Sequence, residues 1–129
     1  MSGVVLHPLE GRLRGDERGW ALRPLEAAGL EGRVPGDLHV VSLEPGAVRG
    51  NHRHDAVEWL LVMEGRVEVR SRAAEGEPVG VRVLEGPRPA LLEIPPGVDH
   101  AVRNAGERTV YLLAFSDRSG AATVKVPME

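Results

Sequence analysis

A chain of 129 residues, 42% hydrophobic and 27% charged, can enclose one core of its own and is short for two, so a single domain spanning 1–129 is expected. A formal net charge of -3 with no basic block argues against nucleic-acid or polybasic membrane partners, and the lack of cysteine leaves any metal to nitrogen and oxygen ligands. The sequence shows no leader pattern and no apolar window of membrane-spanning length, so a cytoplasmic protein is the expectation.

In chain order, Val4 to Leu9 is an apolar stretch interrupted by Pro8, read as an edge strand. The Gly-rich Glu10 to Gly19 reads as a loop, Trp20 to Leu25 as a second strand, and Glu26 to Leu30 as the one run able to make a helical turn, stopped by Gly29 and Gly32. Asp37 to Glu44 alternates, with Leu38, Val40 and Ser42 on one side and His39, Val41 and Leu43 on the other, and Pro45-Gly46 turns the chain. Ala47 to His54 and Glu58 to Met63 are the next extended pair, separated by a loop around Asp55, and Glu64-Gly65 turns into Arg66 to Ser71. Val79 to Leu84 and Ala90 to Ile94 are strands, the latter closing on Pro95-Pro96-Gly97. Val98 to Asn104 and Thr109 to Phe115 read as a hairpin, and Thr123 to Val126 is a last strand beyond a loop around Gly120. Roughly ten short strands with regular turn signals give an all-β fold class, an antiparallel sandwich or barrel with little or no helix.

His52 and His54 stand one residue apart on an extended segment and therefore project to the same side. Glu58 follows four positions later, and His100 lies three residues beyond Gly97. If the fold brings the two segments together, three imidazoles and one carboxylate converge. Such a set can hold a divalent ion with coordination positions left open. Imidazoles beside a substrate carbonyl can equally take and return protons near neutral pH.

Gly46-x5-His52-x-His54-x3-Glu58-x6-Gly65 and Pro95-x-Gly97-x2-His100-x3-Asn104 resemble the two motifs of the cupin superfamily, with Pro89 where that family has glycine. The resemblance implies a small jelly-roll barrel with its core at about 37–116 and an N-terminal edge strand and loop over 1–36. It also implies one divalent transition metal (Zn, Mn, Fe, Ni or Cu) on His52, His54, Glu58 and His100, and a homodimer, for which Val4 to Leu6 offers an apolar edge. Arg49-Gly50-x-His52 and Asp16-x-Arg18-Gly19 resemble cupins that isomerise or epimerise nucleotide-activated keto-deoxysugars. Gly50-Asn51-His52-x-His54 and Ile-Pro-Pro-Gly-x-x-His are similar to the C-terminal cupin domain of capsular-polysaccharide enzymes.

The expected function is that of a metal-binding cupin enzyme acting on a small carbonyl or hydroxyl compound such as a keto-sugar derivative. One alternative is a metal-free nucleotide-sugar ketoisomerase or epimerase in which the catalytic pair His52 and His54 serves as acid and base, as the resemblance implies. Another is a cupin that only binds or senses a small ligand. Arg49 reads equally as a substrate-binding anion anchor at the barrel mouth and as a surface arginine. Asp16 and Arg18 read as turn residues, Asn104 as fixing a hairpin, and Trp59 as packing on the face opposite Glu58. Asp55 and Asp99 are turned away from whatever the histidines face, and His7 and His39, outside both motifs, are expected to have no role. Tyr111 is the only tyrosine in a chain with 3% aromatics, whereas sugar-nucleotide epimerases of this fold generally employ a tyrosine and several stacking residues.

Overall fold

The structure is a computed structural model that describes residues 3–118 and 122–128, so the expected loop around Gly120 lies outside the described residues. Its strands are β1 (Val5–His7), β2 (Arg14–Asp16), β3 (Gly19–Ala21), β4 (Asp37–Leu43), β5 (Val48–His54), β6 (Glu58–Val62), β7 (Gly65–Arg72), β8 (Gly80–Gly86), β9 (Ala90–Ile94), β10 (Asp99–Asn104), β11 (Val110–Ser116) and β12 (Thr123–Lys125), with one helix α1 (Pro24–Ala27). Two five-stranded antiparallel sheets, ordered β1-β9-β6-β11-β4 and β12-β5-β10-β7-β8, face each other, and β2 and β3 form a small hairpin of their own.

From β4 onward the chain changes sheet at every connection except β7 to β8. This corrects the expected β10–β11 hairpin: β10 pairs with β5 and β7, while β11 pairs with β4 and β6. The intervening turn is a corner from one sheet to the other, and Asn104 holds it. Its amide nitrogen donates to the Leu43 carbonyl at 2.8 Å and the Arg108 carbonyl at 2.7 Å, and its Oδ1 accepts from the Gly106 N–H at 2.9 Å. A turn signal marks a reversal of direction but carries no information about which neighbour the returning strand pairs with.

Between the sheets, Leu43, Val67, Val69, Leu92, Ile94, Val102, Val110 and Leu112 form a dry core. A second cluster, Trp59, Leu61, Leu91 and Phe115, lies on the outer face of the first sheet and is covered by Leu22, Leu25 and Leu30. The Trp59 and Phe115 rings stack with centroids 6.0 Å apart, each side chain contributing about 1.5–3 kcal/mol of apolar burial. Residues 3–36 are therefore more than the edge strand and loop expected for this end of the chain. The expected loop over 10–19 contains β2, paired to β3, and the expected strand over 20–25 stops at Ala21. Pro24, preset for a first helical turn, then starts α1. The chain's alternation on β6 thus serves two cores, Leu60 and Val62 inward and Trp59 and Leu61 outward. Among the described residues no helix is long and apolar enough to cross a membrane.

Candidate active site

The histidine pair is aimed by an irregularity in β5. His52 stands opposite His100 in the β5–β10 ladder, but Gly50 rather than Asn51 faces Ala101, and Arg49 faces Val102. Asn51 is the extra residue of a β-bulge, with φ of 56°, and Gly50 beside it has φ of 104°. A Cβ at Gly50 would lie 2.8 Å from the His100 carbonyl oxygen, so only glycine allows this approach. Simple alternation would put Arg49 and His52 on opposite faces. The bulge instead brings both to the wall of one cavity.

The expected four residues meet at this cavity's edge, His52, Glu58 and His100 lining it and His54 lining the neighbouring one. Ring centroids of His52 and His54 are 4.3 Å apart, those of His52 and His100 4.6 Å, and those of His54 and His100 5.4 Å. Glu58 approaches from the facing sheet, with Oε2 3.3 Å from His54 Nε2 and Oε1 3.5 Å from His100 Nε2. One donor atom from each of the four lies within 4.8 Å of all the others. The remaining ring nitrogens are fixed: His100 Nδ1 lies 3.0 Å from the Val98 carbonyl oxygen, and His54 Nδ1 lies 2.9 Å from Thr123 Oγ1. Nε2 of His54 and of His100 are buried without a hydrogen-bond partner.

The cluster sets its own charge pattern. Burial, and then the neighbouring His100 and His54, push His52 down from 6.5 to about 4, so its imidazole is neutral at pH 7. Glu58 beside His54 holds that imidazole above its ordinary value. Burial alone would raise Glu58, but the close approach of His100 and His54 outweighs it and holds the carboxyl at about 2. The carboxylate is therefore ionised among imidazoles of unequal basicity.

Behind the site, Asp99 is fully buried, accepting from Arg72 Nε at 2.8 Å and Nη2 at 2.6 Å, with Arg53 Nε 3.5 Å away. Arg53 lies between the paired histidines in sequence and Asp99 precedes His100, so this ion cluster ties β5 and β7 to β10 from behind. Asp55 pairs with Arg118 at 2.5 Å and accepts from the Ala122 N–H at 2.8 Å, a loop role as expected.

The cavity has a volume of about 310 Å3, with His39, Arg49, His52, Glu58 and His100 among polar lining residues and Val41, Leu60, Val102, Leu112 and Ala114 among apolar ones. Arg49 is exposed and its Nε donates to the Ser42 carbonyl at 3.0 Å, bridging the two sheets. His39 departs from expectation, since it lines this cavity and is bonded to Asp37. Its alternation with Val41 and Leu43 is the signal in the sequence that points there. His7 pairs instead with Glu93 at 2.8 Å, away from the cavity. Asp16 and Arg18 bond each other on the exposed β2–β3 hairpin and do not line the histidine cavity, and Tyr111 is exposed.

No curated protein matches the chain. The fold is similar to that of a dTDP sugar isomerase from Desulfovibrio desulfuricans G20, at 23% identity and a TM-score of 0.75, covering 98% of this chain and 85% of that one. It is also similar to the H51N mutant of the 3,4-ketoisomerase QdtA from Thermoanaerobacterium thermosaccharolyticum in complex with TDP-4-keto-6-deoxyglucose, at 16% identity and a TM-score of 0.74, over 97% and 88% of the two chains. The capsular polysaccharide assembling protein CapF from Staphylococcus aureus matches at 22% identity and a TM-score of 0.64 over 73% of this chain, which spans only 27% of CapF. These likenesses establish the cupin barrel read from the two histidine motifs. The family model described as the polysaccharide biosynthesis C-terminal domain matches residues 15–120, and the chain belongs to that family.

Proposed function

We propose that the protein isomerises a nucleotide-linked keto-sugar by moving protons between the carbons on either side of an enediol, in the cavity bordered by His52, Glu58 and His100 with His54 beside them. The observation that carries this reading is the convergence of three imidazoles and a carboxylate, one atom from each within 4.8 Å of the others, in a barrel similar to those of a 3,4-ketoisomerase and a dTDP sugar isomerase. His52, neutral because it is buried, takes the proton from the carbon beside the carbonyl. The C–H electron pair becomes the C=C bond of the enediol. His54, whose basicity Glu58 raises, returns a proton to the former carbonyl carbon as the neighbouring C=O forms. Arg49, at the cavity mouth, supplies a planar donor group for the diphosphate.

The test is proton exchange and isomerisation of dTDP- or UDP-linked 4-keto-deoxysugars in deuterium oxide. Wild type incorporates deuterium beside the carbonyl, and His52→Ala slows this by about 100- to 10,000-fold. Equal behaviour of the two proteins sinks the reading. Binding without exchange would instead favour a ligand-sensing cupin.

A second reading has its own support. The orphaned Nε2 atoms of His54 and His100, with their Nδ1 atoms held by Thr123 and Val98, have the orientation that ligating imidazoles require. His52, His54, Glu58 and His100 therefore fit one divalent Zn, Mn, Fe, Ni or Cu ion. Such an ion supplies Lewis-acid polarisation of a carbonyl when bound. Elemental analysis of protein purified without added metal decides this: less than about a tenth of an equivalent, unrestored on incubation, removes it.

A further inference from the structure

Isomerisation of a keto-sugar moves protons on oxygen as well as on carbon, and the histidine pair accounts only for the carbon. The carbonyl oxygen must gain a proton and the adjacent hydroxyl must lose one. His39 lines the same cavity as His52. It comes from β4 of the first sheet, opposite β5, in register with Ala114, which also lines the cavity. Val41 and Leu43, two and four residues on along the same strand face, pack into the inter-sheet core, so the same face carries His39 into the cavity. A neighbouring cavity of about 350 Å3 is lined by Asp37, His39, His52, His54 and Glu58, so His39 borders both cavities, as His52 and Glu58 do.

The imidazole is also oriented. His39 Nδ1 lies 2.8 Å from Asp37 Oδ2, and an ionised carboxylate can only accept, which assigns the Nδ1 proton and leaves Nε2 to exchange protons with a bound molecule. Both side chains are about half exposed, at 50% and 47%, so neither is committed to packing. His39 is also outside the four-residue donor cluster.

We propose that His39, oriented by Asp37, is a further catalytic residue that carries the oxygen proton; this rests on the ketoisomerase reading above. The protonated imidazole gives its Nε2 proton to the carbonyl oxygen as the C–H pair becomes the C=C bond. The second enediol hydroxyl then returns a proton to Nε2 as the new C=O forms and the C=C pair takes a proton at the former carbonyl carbon. Nothing is oxidised or reduced overall, and His39 ends as it began.

The experiment compares wild type, His39→Gln and Asp37→Asn on a dTDP-linked 4-keto-6-deoxysugar, recording kcat, KM, dTDP affinity, denaturation midpoint and rescue by free imidazole. His39→Gln lowers kcat by about 100- to 10,000-fold, leaves dTDP affinity and the midpoint near wild type, and recovers rate with added imidazole. Asp37→Asn, which removes the charged acceptor that orients the ring, costs about 10- to 100-fold. A His39→Gln kcat within about threefold of wild type, or a loss that imidazole does not rescue, overturns the role of His39 alone. A wild type that neither exchanges nor isomerises any such substrate overturns the ketoisomerase reading and this role with it.

Discussion

Along β10 the inward residues run from His100 through Val102 to Asn104, and beside them on β7 from Ser71 through Val69 to Val67. Within two strand steps the space between the sheets passes from imidazoles bordering a cavity to aliphatic side chains, Val67 and Val69 being wholly buried. The dry end is close-packed and gains stability from burial. At the other end the buried Nε2 atoms of His54 and His100 face the Glu58 carboxylate at 3.3 and 3.5 Å without hydrogen-bond geometry, and Oγ of Ser71 lacks a partner, a wholly unsatisfied group costing about 1–3 kcal/mol. The same strands carry both ends, so the dry end fixes the register that holds the polar end in place.

Four changes would break or sharpen this contrast. The largest effect belongs to the ion cluster behind the site: Asp99→Ala strands Arg72 and Arg53 and should cost about 3–5 kcal/mol in chemical denaturation. A smaller loss, comparable to surface pairs, would mean that water reaches this cluster. Leu92→Ala at the dry end, wholly buried in the wild type, should lower stability by about 2–5 kcal/mol. Sugar exchange measured well below its melting temperature should stay near wild type. If activity falls with stability, the two ends are not separable.

Gly50→Ala tests the bulge. At φ of 104°, with a Cβ 2.8 Å from the His100 carbonyl oxygen, it should cost about 1–3 kcal/mol. It should reduce activity by more than its stability loss explains, because it shifts His52 and Arg49 relative to His100. Wild-type turnover in the Gly50→Ala variant would show that the bulge only relieves strain.

The smallest effect is on pH dependence. His52 titrates at about 4 when folded and at an ordinary 6.5 when not. Between those values the unfolded chain binds the proton and the folded one does not, so this residue's contribution to stability is present above 6.5 and is lost as pH falls towards 4. His54, raised by Glu58, contributes in the opposite sense and is lost as pH rises through its folded value. Denaturation midpoints of wild type and His52→Asn at pH 7 and pH 4.5 should therefore show a shallower acid-side decline in the variant. Parallel declines would assign the dependence to other groups.

The strand pattern is legible because alternation with regular turn signals is a local property: β4, β6, β7 and β9 fall where the residues indicate. The four-residue cluster is legible through spacing, since two motifs far apart in sequence each keep their interval. Less is readable where the outcome depends on a partner. Trp20 to Leu25 looks extended, but Pro24 begins a helix whose apolar side covers Trp59 and Phe115. His39 lies outside both motifs, so spacing does not mark it, although its alternation with Val41 and Leu43 already places it on the inward face.

By itself the sequence determined the all-β class, most strand positions from β4 onward and the four residues that cluster, because residue type and period are written locally. Only the tertiary structure decided that β10 and β11 part into different sheets, that the bulge at Asn51 turns Arg49 and His52 to one cavity, and that His39, bonded to Asp37, lines the same cavity. Each of these depends on pairing between segments distant in the chain, where the choice rests on how two faces pack and not on either segment's own preference.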